Sequence, residues 1–192
     1  LRWYTIANVF RYERPQRGRL REHWQLNADI FGADGVEAEA EIIALSHQVM
    51  LDMGASEHDF EIRVNDRRLL NDLFASSDLS EQEQRDVIKL LDKRDRTDDF
   101  SDKLTTLLGS ERANKLTDDL SAAASSAHLE ELLSLLYKIG VTNVHVDTGI
   151  VRGFDYYTGM VFEVFDAAPE NRRSLFGGGR YDGLVAIFGE EP

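Results

Sequence analysis

From Trp3 to Glu13 and again from Leu20 to Phe31 the chain is rich in aromatic and β-branched residues, and between them "RPQRG" supplies proline and glycine. This pattern predicts two strands joined as a hairpin with a long tip. Side chains alternate between the faces of a strand, so parity sorts them. Phe10 and Tyr12 share one face of the first strand, and Trp24, Leu26, Ala28 and Ile30 share one face of the second. The opposite faces carry Arg11 and Glu13, then His23, Gln25, Asn27 and Asp29. The apolar side is expected to be a core face and the other side a polar floor.

From Val36 to Met53 the period becomes helical, with Ala40, Ile43 and Met50 apolar, Glu37, Glu39 and Glu41 near the start and Gly54 at the end. Acids at that end suit the helix macrodipole. "FEIRV", Phe60 to Val64, returns to period two and predicts a strand. Between about Arg67 and Tyr137 short charged helices are expected. Ser80 with Glu83 forms a capping box, and Ser101 and Ser110 are candidate caps for two more helices, the first stopping at Gly109. "HLEELLSLLYKIG", His128 to Gly140, predicts a helix leading back, followed by strands "VTNVHVD" and "MVFEVFD". "RSLFGGGRYDGLVAIFG" reads as a strand, a glycine turn and a helix start. Strands at both ends and helices between predict an α+β fold: an antiparallel sheet flanked by helices, interrupted by an all-helical insertion. The expected division is 1–66 and 138–192 for the core and 67–137 for the insertion.

With 192 residues and 42% hydrophobic content, the chain can bury one sizeable core and carry a small module besides. Its longest uninterrupted apolar run, Leu184 to Phe188, falls far short of the roughly 20 residues of a membrane-spanning helix. There is no cysteine, which removes disulfide and thiolate-metal chemistry and fits a reducing cytosol. The five histidines, His23, His47, His58, His128 and His145, lie far apart, so no structural metal is expected. Net charge is -13, yet Arg11, Arg14, Arg17, Arg19 and Arg21 crowd into eleven residues. That island invites an anion such as phosphate, and can grip one within a Debye length of about 8 to 10 Å. The chain opens at Leu1 directly into a strand-like run, which suggests a piece of something longer.

Arg11 and Glu13 project the same way, about 6.5 to 7 Å apart on one strand. Arginine offers a planar fork to phosphate and glutamate accepts from an amino group. A cross-strand salt bridge on an exposed sheet explains the same parity. Gln25 and Asp29 are as ordinary for a solvated sheet face as for a site. In "GIVRGFDYYTGMVFE", Gly149 to Glu163, Arg152 lies between glycines and precedes Tyr156 and Tyr157, which suit either a ligand wall or core packing. "GGGRYDGL", Gly177 to Leu184, matches neither the phosphate loop nor the dinucleotide fingerprint. It is either a flexible turn or backbone pressed against a pocket.

Taken together, these stretches resemble the histidyl-tRNA synthetase family, class II aminoacyl-tRNA synthetases. "FRYERPQRGRLREHWQLNADIFG" looks like that family's motif 2, and "GIVRGFDYYTGMVFE" and "GGGRYDGL" look like its two histidine-specific motifs, in the expected order around a helical insertion. The resemblance implies a class II antiparallel sheet, and activation of L-histidine by ATP, with Mg2+, to histidyl-adenylate before transfer to tRNA(His). It implies Arg11 and Arg152 as the catalytic cations, with Arg11, Glu13 and His23 holding ATP. Gln25, Asp29, Arg152, Tyr156, Tyr157, Gly178 and Tyr181 would hold histidine. Arg14, Gln16, Arg17, Arg19 and Arg21, at or beside the hairpin tip, would contact the tRNA acceptor end. A homodimeric, cytoplasmic parent follows from the same likeness.

His23 stands where the family usually has phenylalanine against adenine. Nothing resembles motif 1, motif 3 or the anticodon-binding domain, so the piece alone is expected to be inactive or nearly so. The rival readings are a non-catalytic paralogue, such as the regulatory subunit of ATP phosphoribosyltransferase, and a tRNA-sensing domain. Retention of "RYERPQRGR" speaks against the first.

Overall fold

A computed structural model describes residues 1–12, 20–91, 94, 99–123, 126–151, 157–168, 171 and 174–189. The predicted hairpin is present: β1 (Arg2–Phe10) and β2 (Glu22–Ile30) pair antiparallel, from Arg2 opposite Ile30 to Phe10 opposite Glu22. It forms a two-stranded sheet of its own. The second sheet has the order β4-β3-β5-β6, from β3 (Phe60–Asp66), β4 (Val144–Val146), β5 (Met160–Asp166) and β6 (Ser174–Gly179). β3 with β5 and β5 with β6 are antiparallel. The pairing of β3 with β4 is parallel, a departure from the purely antiparallel expectation. The cause is the long helical excursion between them, a crossover that brings the chain back to the end from which β3 began.

Helix α1 (Val36–Asp52) ends before Gly54, whose φ of 95° is one that side chains rarely adopt. With α6 (Ala127–Lys138) it covers one face of the four-stranded sheet. The buried residues Ile43, Ile62, Val64, Leu132, Phe162 and Val164 belong to this first cluster. Alternation along β3 and β5 explains it: even-numbered residues point at the helices, while Glu61, Arg63 and Glu163 point away. On that outer side the Arg63 guanidinium lies 4.3 Å from the centre of the Phe165 ring and bonds Asp147.

A second cluster is built by α2 (Arg67–Ser76), α3 (Glu81–Leu91), α4 (Phe100–Leu108) and α5 (Ser110–Ala123), around Leu70, Phe74, Val87, Leu104 and Leu116. Val151, from beyond β4, reaches into it. Within the stretch 67–137, therefore, α6 shares its core with the sheet and α2–α5 share another. Asp66 closes β3 and opens α2, accepting from the Arg68 backbone N–H at 2.9 Å while its carboxylate is forked by the Arg68 guanidinium.

The capping box forms as predicted, with the Ser80 N–H donating to Glu83 at 2.8 Å and the Glu83 N–H to Ser80 Oγ at 3.3 Å. Two other caps differ. α4 starts at Phe100 after Asp99, so Ser101 lies inside the helix, and Ser110 is the first residue of α5, behind Gly109. No helix among the described residues is long and apolar enough to cross a membrane.

Candidate active site

The hairpin register puts Trp3, Thr5, Ala7 and Val9 on the same face as Asp29, Asn27, Gln25 and His23. The ladder continues past Phe10, with the Arg11 N–H donating to the Arg21 carbonyl at 2.8 Å. A polar chain runs along this face. Arg11 Nη2 donates to Gln25 Oε1 at 2.7 Å, Gln25 Nε2 donates to Asn27 Oδ1 at 2.5 Å, and Asn27 reaches Thr5 Oγ1 at 3.4 Å. Arg11 itself is exposed.

The predicted burial of the two faces is not found. Gln25, Asn27 and Asp29 are half-buried, whereas Phe10 is 73% exposed, Trp24 71% and Tyr12 97%. Parity sorted the residues correctly, but the apolar face is not a core face among the described residues: α1 and α6 cover the other sheet instead. Of the floor residues, Asp29 is contacted by Tyr181.

At the end of the floor the Tyr181 hydroxyl donates to Asp29 Oδ1, across 152 positions of sequence. Burial pushes the Tyr181 hydroxyl well above its ordinary pKa, and the Asp29 hydrogen bond and charge push the same way. Tyr157 stands beside it, ring centres 6.4 Å apart and tilted by 34°. The Tyr157 carbonyl accepts from Arg67 Nη1 at 2.5 Å, at a small hollow lined also by Asn65, Leu70, Ile150 and Val161. Arg21 lies with its guanidinium 5.0 Å from the centre of the Tyr12 ring. His23 is half-buried, and its Nδ1 is buried with no hydrogen-bond partner.

The triple glycine is strand, not turn. Gly177, Gly178 and Gly179 form the end of β6 and press on β5. A Cβ on Gly177 would meet the Phe162 carbonyl oxygen at 2.4 Å, and one on Gly178 the Phe162 ring at 2.9 Å. Gly179 lies under Tyr157, where a Cβ would approach that ring to 3.0 Å. The expected helix start beyond is a 3-10 turn, Val185–Phe188.

Asp29, Tyr157 and Tyr181 are thus brought together, and Arg11 joins Gln25 on the same floor. Glu13, Arg14, Gln16, Arg17, Arg19, Arg152 and Tyr156 lie outside the described residues. Sequence reasoning missed Glu39, Arg180 and His128. Glu39 is 3% exposed and accepts from Arg180 Nε at 2.7 Å, with His128 Nε2 2.6 Å from its other oxygen. The signal was available: Val36, Ala40, Ile43 and His47 mark the buried stripe of α1, and Glu39 falls on it.

The family model for histidyl-tRNA synthetase matches residues 1–192. The histidine-tRNA ligase of Leptospira biflexa is 38% identical over 209 residues, covering 100% of this chain and 48% of that protein. The histidine-tRNA ligase of Thermococcus kodakarensis is 38% identical over 216 residues, covering 100% and 49%. A structure described as an ATP phosphoribosyltransferase regulatory subunit/histidyl-tRNA synthetase from Bacillus halodurans superposes with a TM-score of 0.82 at 23% identity, covering 99% of this chain and 53% of that one. The histidyl-tRNA synthetase of Nostoc sp. PCC 7120 superposes with a TM-score of 0.72 at 25% identity, covering 99% and 50%. The chain spans about half the length of the curated relatives it matches.

Proposed function

Because the chain belongs to the histidyl-tRNA synthetase family, we propose that it supplies part of the catalytic core of a histidine-tRNA ligase, which activates histidine with ATP and passes it to tRNA(His). The observation that carries this reading is the Asp29–Tyr181 contact, with Tyr157 beside it and Gln25 and Arg11 further along the same face. A carboxylate and a phenol already hydrogen-bonded to each other make a polar end for an imidazole. An apolar rival there would leave the remaining lone pairs of the carboxylate and the phenol without a donor, which is how such a site discriminates. Gln25 then takes the α-amino group, and Gly178 contributes through its backbone.

Activation is attack of the histidine carboxylate on the α-phosphorus of ATP, with pyrophosphate leaving. Negative charge grows on the phosphoryl oxygens, and fixed cations lower the barrier by meeting it. Arg11, exposed and held by Gln25, is the cation on this floor. In the same proposal Arg152 is the second cation, Glu13 accepts from the adenine amino group and His23 packs against the base. Tyr156 joins the imidazole end, and Arg14, Gln16, Arg17, Arg19 and Arg21 meet the acceptor end of the tRNA. Magnesium is the metal the family implies, and it would enter with ATP and supply positive charge to its phosphates. A cytoplasmic homodimer is proposed for the ligase, with residues 67–137 as its insertion, and little or no activity for these 192 residues alone.

The test is histidine-dependent ATP–pyrophosphate exchange by the protein carrying this chain. Arg11→Ala should lower the exchange rate by about 10² to 10³, the usual cost of removing one transition-state donor. Absence of histidine-dependent exchange in the unmodified protein would leave the second reading, a non-catalytic relative. The name of the Bacillus halodurans structure keeps that reading in view.

A further inference from the structure

We infer that Glu39 is a positioning residue for the histidine pocket, acting through Arg180 to set the Tyr181–Asp29 pair. The inference rests on the reading of Asp29 and Tyr181 as histidine-binding residues.

Arg180 immediately precedes Tyr181, and its backbone is pinned on both sides. Its N–H donates to the Met160 carbonyl at 2.8 Å, and its own carbonyl accepts from the Thr158 N–H at 2.7 Å. Its side chain crosses to the segment between β2 and α1, donating to the carbonyls of Ala33 at 3.3 Å and Gly35 at 3.2 Å. That segment follows directly from the strand bearing Asp29. One guanidinium therefore ties the main-chain run that carries Tyr181 to the run that follows Asp29. Glu39 fixes the guanidinium. Its carboxylate takes the Nε–H, which leaves the two terminal nitrogens aimed at the linker carbonyls, with Asp182 also within reach of Nη1 at 3.3 Å. Burial works against the charge of Arg180, but the hydrogen bonds and charges of Glu39 and, after it, Asp182 together outweigh it, and the net pKa is raised.

Two features separate this arrangement from a generic ion pair. Glu39 is buried, and desolvation offsets much of the attraction in a buried pair, so stability alone is a weak reason for it. Its second oxygen is engaged by His128, in the first turn of α6 behind the Ser126 cap. Both oxygens are held, so the carboxylate cannot rotate away from Arg180 without breaking a contact to another element. Orientation is what this network supplies, and its output is the placement of a phenol against a carboxylate 152 positions away.

The experiment is a double-mutant cycle on KM values in ATP–pyrophosphate exchange by the protein carrying this chain. Glu39→Gln, close to Glu in shape, should raise the histidine KM about tenfold, the cost of roughly one charge-assisted hydrogen bond, and leave the ATP KM within about twofold. In the Tyr181→Phe background the same change should add less than about twofold, because the interaction it positions is already gone. Glu39→Asp should restore part of the loss. If Glu39→Gln does not fold, Arg180→Lys, which keeps the charge and removes the fork, carries the same expectation. An equal rise in both KM values, or a full effect persisting in the Tyr181→Phe background, would overturn the inference while leaving histidine activation intact. No exchange in the unmodified protein would instead overturn the reading on which it rests.

Discussion

At the residue scale the strongest local constraint is the contact of β6 with β5. At Gly177 an added Cβ would meet a backbone oxygen at 2.4 Å, and a backbone oxygen in the middle of a sheet cannot swing aside as a side-chain tip can. Gly177→Ala should therefore destabilise the chain by about 1 to 3 kcal/mol, the usual cost of overpacking. Gly183→Ala, with nothing within 4 Å of the added atom and an ordinary φ, should change stability by less than about 0.5 kcal/mol. Urea midpoints at matched pH distinguish the two, and equal effects would defeat the steric argument. The sequence offered the glycines without their role, since close approach and turn formation both select residues without a Cβ. Glu39 was hidden differently. Its neighbours Glu37 and Glu41 made it look like one of three solvated acids, and only its position on the stripe of Val36, Ala40 and Ile43 sets it apart.

Among the elements, α3 shows what local sequence can and cannot reveal. Its capping box was legible because both partners lie within one turn. Arg112 was not, because it comes from α5, 29 positions on; its Nη1 donates to Glu83 Oε1 at 2.9 Å. With the Arg112 hydrogen bond first and the Ser80 N–H and hydroxyl next, the Glu83 carboxyl is pulled from 4.5 to about 2. Because its folded pKa is depressed, Glu83 stabilises the fold fully above about 4.5 and loses that contribution as pH falls towards 2. The stability difference between the wild type and Glu83→Gln should accordingly shrink between about pH 6 and about pH 2. It should shrink with added salt as well, since the pair is near the surface. A difference that stays constant across this range would show that the helix contact does not depend on the charge. The other caps were misplaced by one or two residues at most, which is the usual uncertainty of helix ends.

For the whole molecule, the sequence revealed periodicity but not partnership. Strand parity in the hairpin was right, yet which face is covered depends on what packs there, and periodicity carries no information about that. The consequence is uneven stability. β3 and β5 lie in the centre of a four-stranded sheet under α1 and α6, with Ile62, Val64 and Val164 at 0% exposure. β1 and β2 have only each other as hydrogen-bonding strands among the described residues, and Tyr4, Ile6, Phe10 and Trp24 lie exposed on one side. Side chains fasten the hairpin to the rest through Asp29 with Tyr181 and Arg2 with Glu41, and Arg180 holds the linker below it. Regions with few buried apolar contacts open locally at a fraction of the global free energy. Amides of β1 and β2 in the 192-residue chain should therefore exchange with solvent at least about a hundredfold faster than those of β3 and β5 under native conditions. Tyr181→Phe, by removing the hydroxyl that meets Asp29, should widen that gap without altering exchange in β3. Equal protection across both sheets would mean that the hairpin opens only with the core, and that the Asp29 end of the floor is held by more than these few side chains.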